Sequence, residues 1–415
     1  MAEIISQRDR AILRDLAKKQ YEYSQLPEMQ QIKKDWRLHN DCKGARPMVN
    51  LDISTYELVP EMQKCEGKAA REIEFSLYMN FLNYALFNDD SVVKDYFPIT
   101  YGCWFKAFNI DIKIEHSEKG GLGHHFVEII KDLRDDFHLL KKSVWGSNKA
   151  QALGRFDLIN DIFGDILPPK IVGMCLYAVP TQDIVHFMGM ENMYLSIYDY
   201  PDEFREMMNR LADDYIEYFG YMQDNGFILP TTDDEHLSQG SYCFTAELPG
   251  AEELKRRPFT PADVWGFMDS QESVGLSPKA FEEFIFPYYK RIAEKFALLS
   301  YGCCEPVHPI WDNCLSKLTN LRKVSISPWC NEEYMGERLR GKKIIYHRKP
   351  SANHIGVGTV LEEDELVKAI RKTVSAARGC HLEITQRDVY TINHDPAKVK
   401  RFVEIIKREC EKHTV

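Results

Sequence analysis

The chain has 415 residues, 44% hydrophobic and 28% charged, which excludes a disordered, collagen-like or coiled-coil protein and leaves ample apolar material for a large core. Its 63 acidic side chains against 53 basic ones give a net charge of -10, which argues against a nucleic-acid binder that would need a basic face. No apolar run approaches the ~18 residues of a membrane span, and the charged start from Met1 to Gln20 lacks the apolar core of a signal peptide, so a cytoplasmic protein is expected.

Residues 1–45 read as two polar helices, an extension ahead of the first strand at Pro47–Asp52. Residues 98–154 carry weak periodicity and the run Gly120-Gly121-Leu122-Gly123-His124-His125, which reads as a loop-rich insertion over one end of the fold. Pro169–Met174 and Gly226–Leu229 read as further strands around a long amphipathic helix from Pro201 to Gln223, and Ser273–Leu276 as another. Ser277-Pro278 then opens a helix with serine at its cap.

The last third is the clearest. Strand-like runs at Leu298–Cys303, Lys323–Ser327, Lys343–His347 and His381–Thr385 alternate with helices around Trp311–Leu318, Asn331–Leu339, Glu362–Ala377 and Asp395–Cys410. Within Glu362–Ala377, Leu366, Ile370, Val374 and Ala377 fall on one face, as in a helix laid against a sheet. Strand–helix alternation implies a parallel sheet, and eight such strands imply a (β/α)8 TIM barrel. About 150 residues per domain would allow nearly three domains; the alternation instead implies one barrel over residues 46–415.

In such a barrel the reactive groups lie at the C-terminal ends of the strands. Those ends present Asp52; Asp233, Asp234 and His236; Tyr301 to Glu305; Ser327, Trp329 and Cys330; His347 and Lys349; and Gln386, Arg387 and Asp388. The densest segment is Tyr301-Gly302-Cys303-Cys304-Glu305-Pro306-Val307-His308. Strand alternation places Tyr301, Cys303 and Glu305 on one face. A thiolate with a carboxylate or an imidazole suits zinc, whereas two small buried cysteines beside a polar network would be purely structural. Cys380 sits at the beginning of its strand, the wrong end for the same site. The 11 cysteines are odd in number and scattered, the pattern of reduced thiols. There is no phosphate loop, dinucleotide fingerprint or Gly-x-Ser-x-Gly elbow.

Several stretches together resemble the uroporphyrinogen decarboxylase superfamily: Trp36 to Val49, Gln271 to Arg291 (QESVGLSPKAFEEFIFPYYKR), Leu299 to Pro306 (LSYGCCEP), Asn320 to Trp329, His347-Arg348-Lys349-Pro350, and Glu383 to Asp388. The resemblance implies a (β/α)8 barrel and one of two chemistries. Ala45 to Asp52 does not reproduce the arginine-rich opening of the cofactor-free decarboxylases, and an acidic chain suits a polycarboxylate substrate poorly, so a decarboxylase or lyase is the alternative. The nearer branch is the zinc-dependent methyltransferases, which move a methyl group between a small substrate and a separate corrinoid protein. Their His-x-Cys corresponds here to Tyr301-Gly302-Cys303, and the last ligand position falls near Asp388. The resemblance therefore implies zinc on Cys303, with Glu305, His308, His347 or Asp388 to complete the site; the favoured set is Cys303, Glu305 and Asp388, with Tyr301, Lys349 and Glu305 catalytic. Asp52, Asp233, Gln271, Trp329 and His347 are the expected substrate-binding residues. The partners implied are a small methyl donor or acceptor and a corrinoid protein; a homo-oligomer is compatible with the sequence.

Overall fold

Seven short runs form one all-parallel sheet in the computed structural model, which describes residues 5–44, 46–53, 57–116, 123–233 and 235–413. In chain order they are β1 (Met48–Ile53), β2 (Leu176–Ala178), β3 (Trp265–Met268), β4 (Leu298–Tyr301), β5 (Leu321–Ile326), β6 (Ile345–Arg348) and β7 (His381–Val389). Their order across the sheet is β1-β7-β6-β5-β4-β3-β2. Side chains alternate, so Asn50 and Asp52, Lys323 and Ser325, His347, and Glu383, Thr385 and Arg387 meet one another on the concave side of the curled sheet.

The helix boundaries follow their caps. Asn331 Oδ1 accepts from Tyr334 N at the start of Glu332–Leu339, and an Asp395 carboxylate oxygen accepts from Lys398 N at the start of Pro396–Cys410. Ser277 does the same for Pro278–Phe284. Helices α1 (Gln7–Ser24) and α2 (Pro27–Asn40) precede β1. They share a core with Met48 of β1 through Leu13, Met29 and Trp36. Among the described residues no helix is long and apolar enough to cross a membrane.

The expected closed eight-stranded barrel is corrected to an open, TIM-like curl: β1 and β2 are the two edges, with no strand pairing between them among the described residues. Pro169–Ile171 is a strand, but it pairs in parallel with Phe97–Ile99 outside the main sheet. Gly226–Leu229 forms no strand; it passes beside Gly173, where an added Cβ would lie 2.7 Å from Leu229 O. Ser273–Leu276 is not a strand either, because the chain there makes the 3-10 turn Gln271–Ser273. The region Trp311–Leu318 holds turns and the short 3-10 segment Leu315–Lys317 rather than a helix.

A hairpin, His236–Ser238 paired antiparallel with Ser241–Tyr242, occupies the concave side. Ser241 Oγ accepts from Lys323 of β5, Gly240 O accepts from Asn50 of β1, and Gln239 reaches Lys349 beyond β6. An eight-stranded ring leaves an interior just wide enough for side chains. Here backbone fills that space. Gly240, at φ 71°, is required at the tip, since a Cβ would lie 2.6 Å from Thr385 Cγ2 and 2.7 Å from Asp52 Cβ.

The expected insertion at 98–154 contains antiparallel pairs, Cys103–Lys106 with Val144–Ser147 and Ile114–His116 with His124–Phe126. His124 and His125 thus lie on an exposed strand rather than in a loop, while Gly120, Gly121 and Leu122 fall outside the described residues. Phe105 stacks on Tyr215 with ring centroids 4.3 Å apart, tying the insertion to helix Pro201–Asp224.

Candidate active site

Strand β4 ends at Tyr301, and Gly302 then turns the chain at φ 100°. A side chain at Gly302 would meet Ser325 Cβ at 3.0 Å, so the turn needs glycine on both counts. The turn breaks strand alternation: Tyr301 and Glu305 both reach Ser270, whereas Cys303 leaves them. Tyr301 is buried with its hydroxyl 2.5 Å from Ser270 Oγ. Glu305 turns back: its carboxylate accepts from Cys303 N at 2.8 Å and Ser270 N at 3.0 Å.

Cys303 points instead toward β7. Arg387 Nη1 donates to Cys303 Sγ at 3.0 Å, and the Cys304 sulfur lies 3.6 Å from it. Asp388 Oδ2 lies 3.4 Å from the Cys304 sulfur, a second acceptor competing with Cys303 for the single Cys304 proton. Asp388 reaches this position through a bulge: Asp52 pairs with Arg387 and Ile53 with Val389, so Asp388 is the extra residue, at φ 60°. A bulge re-aims one side chain without disturbing the rest of a strand. Arg387 also faces Asp52 Oδ2 at 3.5 Å.

The electrostatics favour a thiolate. The Cys304 hydrogen bond, with Lys349 and Arg387 nearby, overcomes burial and Glu305 and brings the Cys303 thiol down to about 6. The same hydrogen bond, together with burial and Asp388, pushes Cys304 up, so the proton stays on Cys304. Burial and the neighbouring Arg387 lower Lys349, whose ammonium donates to Gln239 Oε1 at 2.8 Å. Burial, reinforced by Glu305, Cys303 and Glu272, raises Asp269 well above the usual carboxylate range, and its Oδ1 is a buried atom without a hydrogen bond. A cavity of about 430 Å³ opens beside Asp52 and Gln239, lined also by Asn50, Asn80, Asn83 and Ser91.

The structure thus brings together Cys303, Lys349, Asp388 and Asp52 of the expected site, with Glu305 braced underneath. Others lie apart. His347 is one layer deeper, buried, with Nε2 2.8 Å from Thr385 Oγ1. Asp233 is half exposed and accepts from Arg37 of α2 at 3.1 Å. Gln271 starts the 3-10 turn after β3, and Trp329 stands 67% exposed on the rim beyond β5. Sequence reading undervalued Arg387 and Cys304 and missed Asp269 and Gln239 as members of the site. Arg387 and Cys304 sat at strand ends already singled out; nothing in sequence pattern ties Gln239, on a hairpin, to Lys349.

Both Glu305 oxygens are taken by backbone amides, and a guanidinium rather than open space faces Cys303 Sγ. Among the described residues no three His, Cys, Asp or Glu side chains are grouped so as to hold a metal ion. The expected set of Cys303, Glu305 and Asp388 does not fit zinc in this arrangement.

No family model matches the chain, and no curated protein does. Among solved structures it is similar to a methyltransferase from Methanosarcina mazei, with TM-score 0.51 and 11% identity, over 91% of this chain and 98% of that one. At that identity the likeness is one of fold.

Proposed function

We propose that this chain is an enzyme of the methyltransferase type in which the Cys303 thiolate takes a methyl group from a small substrate. The observation that carries the reading is the Arg387 guanidinium on Cys303 Sγ at 3.0 Å, with the Cys304 proton beside it. In the step, Sγ attacks the methyl carbon, the bond from carbon to the substrate heteroatom breaks, and the electron pair leaves with the heteroatom. Asp269, which keeps its proton, supplies it to that leaving atom. Arg387 and Lys349 hold the thiolate, the part a metal would otherwise play, so no step runs through zinc. The methyl group then passes to a second protein, for which the family resemblance suggests a corrinoid carrier. Exposed Trp329, Val357, Val360 and Tyr390 offer that partner an apolar rim.

The test is intact-mass and peptide analysis after exposure to methyl methanesulfonate, a small generic methyl donor. One methyl group on Cys303, absent in Cys303→Ser and slowed in Arg387→Gln, supports the reading. Methylation spread evenly over the thiols, or one zinc per chain that disappears in Cys303→Ala, overturns it.

The convergence of Arg387 and Lys349 also suits a substrate carboxylate, which favours a metal-free decarboxylase or lyase as the second reading. That reading requires activity that survives Cys303→Ser and chelators but not Arg387→Gln.

A further inference from the structure

We propose that Cys303 and Cys304 form a peroxide-reactive dithiol, in which Cys303 is the oxidised thiol and Cys304 resolves it into a disulfide between neighbours. The inference rests on the reading of Cys303 as the anionic thiol of this site and goes beyond methyl transfer.

Three observations carry it. The two sulfurs are already 3.6 Å apart, and a bond needs about 2.05 Å; neighbouring Cα atoms, ~3.8 Å apart, are closer than in ordinary disulfides, so closure turns the side chains and adjusts the 303–304 peptide without moving any larger element. The pair lies in a bend after Gly302, outside the ladder of β4, so closing it breaks no strand pairing. Each sulfur also has a partner suited to its part. Arg387 holds Cys303 and presents a cation to a leaving hydroxide, and Asp388 Oδ2 lies 3.4 Å from the Cys304 sulfur, where it can accept the thiol proton as Cys304 turns to attack.

The chemistry needs one hydrogen peroxide. The Cys303 sulfur attacks one peroxide oxygen, the O–O bond breaks, and the departing hydroxide takes a proton to become water, leaving a sulfenic acid on Cys303. Cys304 sulfur then attacks Cys303 sulfur; the S–S bond forms, the S–O bond breaks, and the second water leaves with the Cys304 proton. Two thiols are oxidised by two electrons and one peroxide is reduced to two waters. The disulfide removes the thiolate that Arg387 holds, and the site is switched off until a thiol reductant reopens it.

The test uses the full chain, pre-reduced and treated with stoichiometric hydrogen peroxide, followed by intact mass, thiol titration and peptide mapping. Two thiols should disappear with the loss of two hydrogens and no gain of oxygen, mapped to 303–304 and reversed by dithiothreitol. Cys304→Ser should stop at one added oxygen on Cys303, trapped by dimedone, and Cys303→Ser should leave Cys304 unoxidised. Thermal melts of both variants confirm folding. A wild-type product ending as sulfinic acid on Cys303, a disulfide to another cysteine, or both thiols surviving the treatment overturns the proposal. Methyl labelling of reduced protein judges the transferase reading separately, so either can fail alone.

Discussion

Two buried polar layers stand one above the other on the concave side of the same sheet, and they are built differently. In the lower layer Glu383 accepts from Lys323 at 2.7 Å, with His39 of α2 at 3.2 Å and His347 Nε2 at 3.4 Å. Against burial, those partners hold Glu383 well below the usual carboxylate range, while burial in turn lowers His39 and brings His347 down to about 3. Lys323 also lies near the rings of Trp36 and Trp265. This layer pairs its charges within the fold. The upper layer, further along β7 at Arg387, sets Cys303, Arg387 and Asp388 on a glycine turn and a bulge, with Asp52 and Asp388 about two-fifths exposed (37% and 40%). The difference teaches which cluster is structural: both are buried and charged, but only the upper one combines a reactive anion, a left-handed backbone and an opening to solvent.

The comparison breaks most visibly at Lys323. Lys323→Met leaves Glu383 uncompensated, and denaturant unfolding should show a loss of about 3–5 kcal/mol. Cys303→Ser in the upper layer should cost far less; an equal loss would mean the upper layer is structural too. Acid comes next. The folded value for His347 lies near 3, below its ordinary 6.5, so its contribution is complete above about 6.5 and is lost as pH falls toward the folded value. Each unit below 6.5 should cost about 1.4 kcal/mol from this group, roughly 2 kcal/mol at pH 5. Urea titrations at pH 7 and 5 measure it, and His347→Gln should flatten the slope.

In the upper layer the expected effects are on reactivity. Iodoacetamide alkylation of Cys303 should rise through pH 6 and level off by about pH 8, following the thiolate. Arg387→Gln should move that rise upward by about one unit, slowing labelling near pH 6 about fivefold. An unchanged profile would remove Arg387 from the site. The smallest effect is expected at Gln239→Ala, which takes one hydrogen bond from Lys349 and should cost about 1 kcal/mol. A much larger loss would show that the whole hairpin depends on its tip.

Legibility followed burial pattern. Strands β4 to β7 and the helices Glu363–Ala376 and Pro396–Cys410 were readable because each is a short apolar run or an amphipathic stretch with its own cap. β3 was not, since Trp265-Gly266-Phe267-Met268 is four residues long and contains a glycine. That glycine is a packing requirement: a Cβ there would sit 2.0 Å from the Phe296 ring. Cys303 was legible as a strand-end thiol. The turning-back of Glu305 and the depth of His347 were not, because each is set by atoms from other strands.

The sequence alone determined an acidic α/β protein with parallel strand–helix units, and it pointed to the ends of β4 and β7 as the candidate site, since periodicity and strand polarity are local properties. Only the tertiary structure decided that the sheet stays open around a hairpin. It also decided that a guanidinium, not the neighbouring carboxylate, faces the thiol. Both outcomes depend on contacts between residues tens to hundreds of positions apart, such as Arg387 with Cys303 and Gln239 with Lys349, and no local pattern encodes those distances.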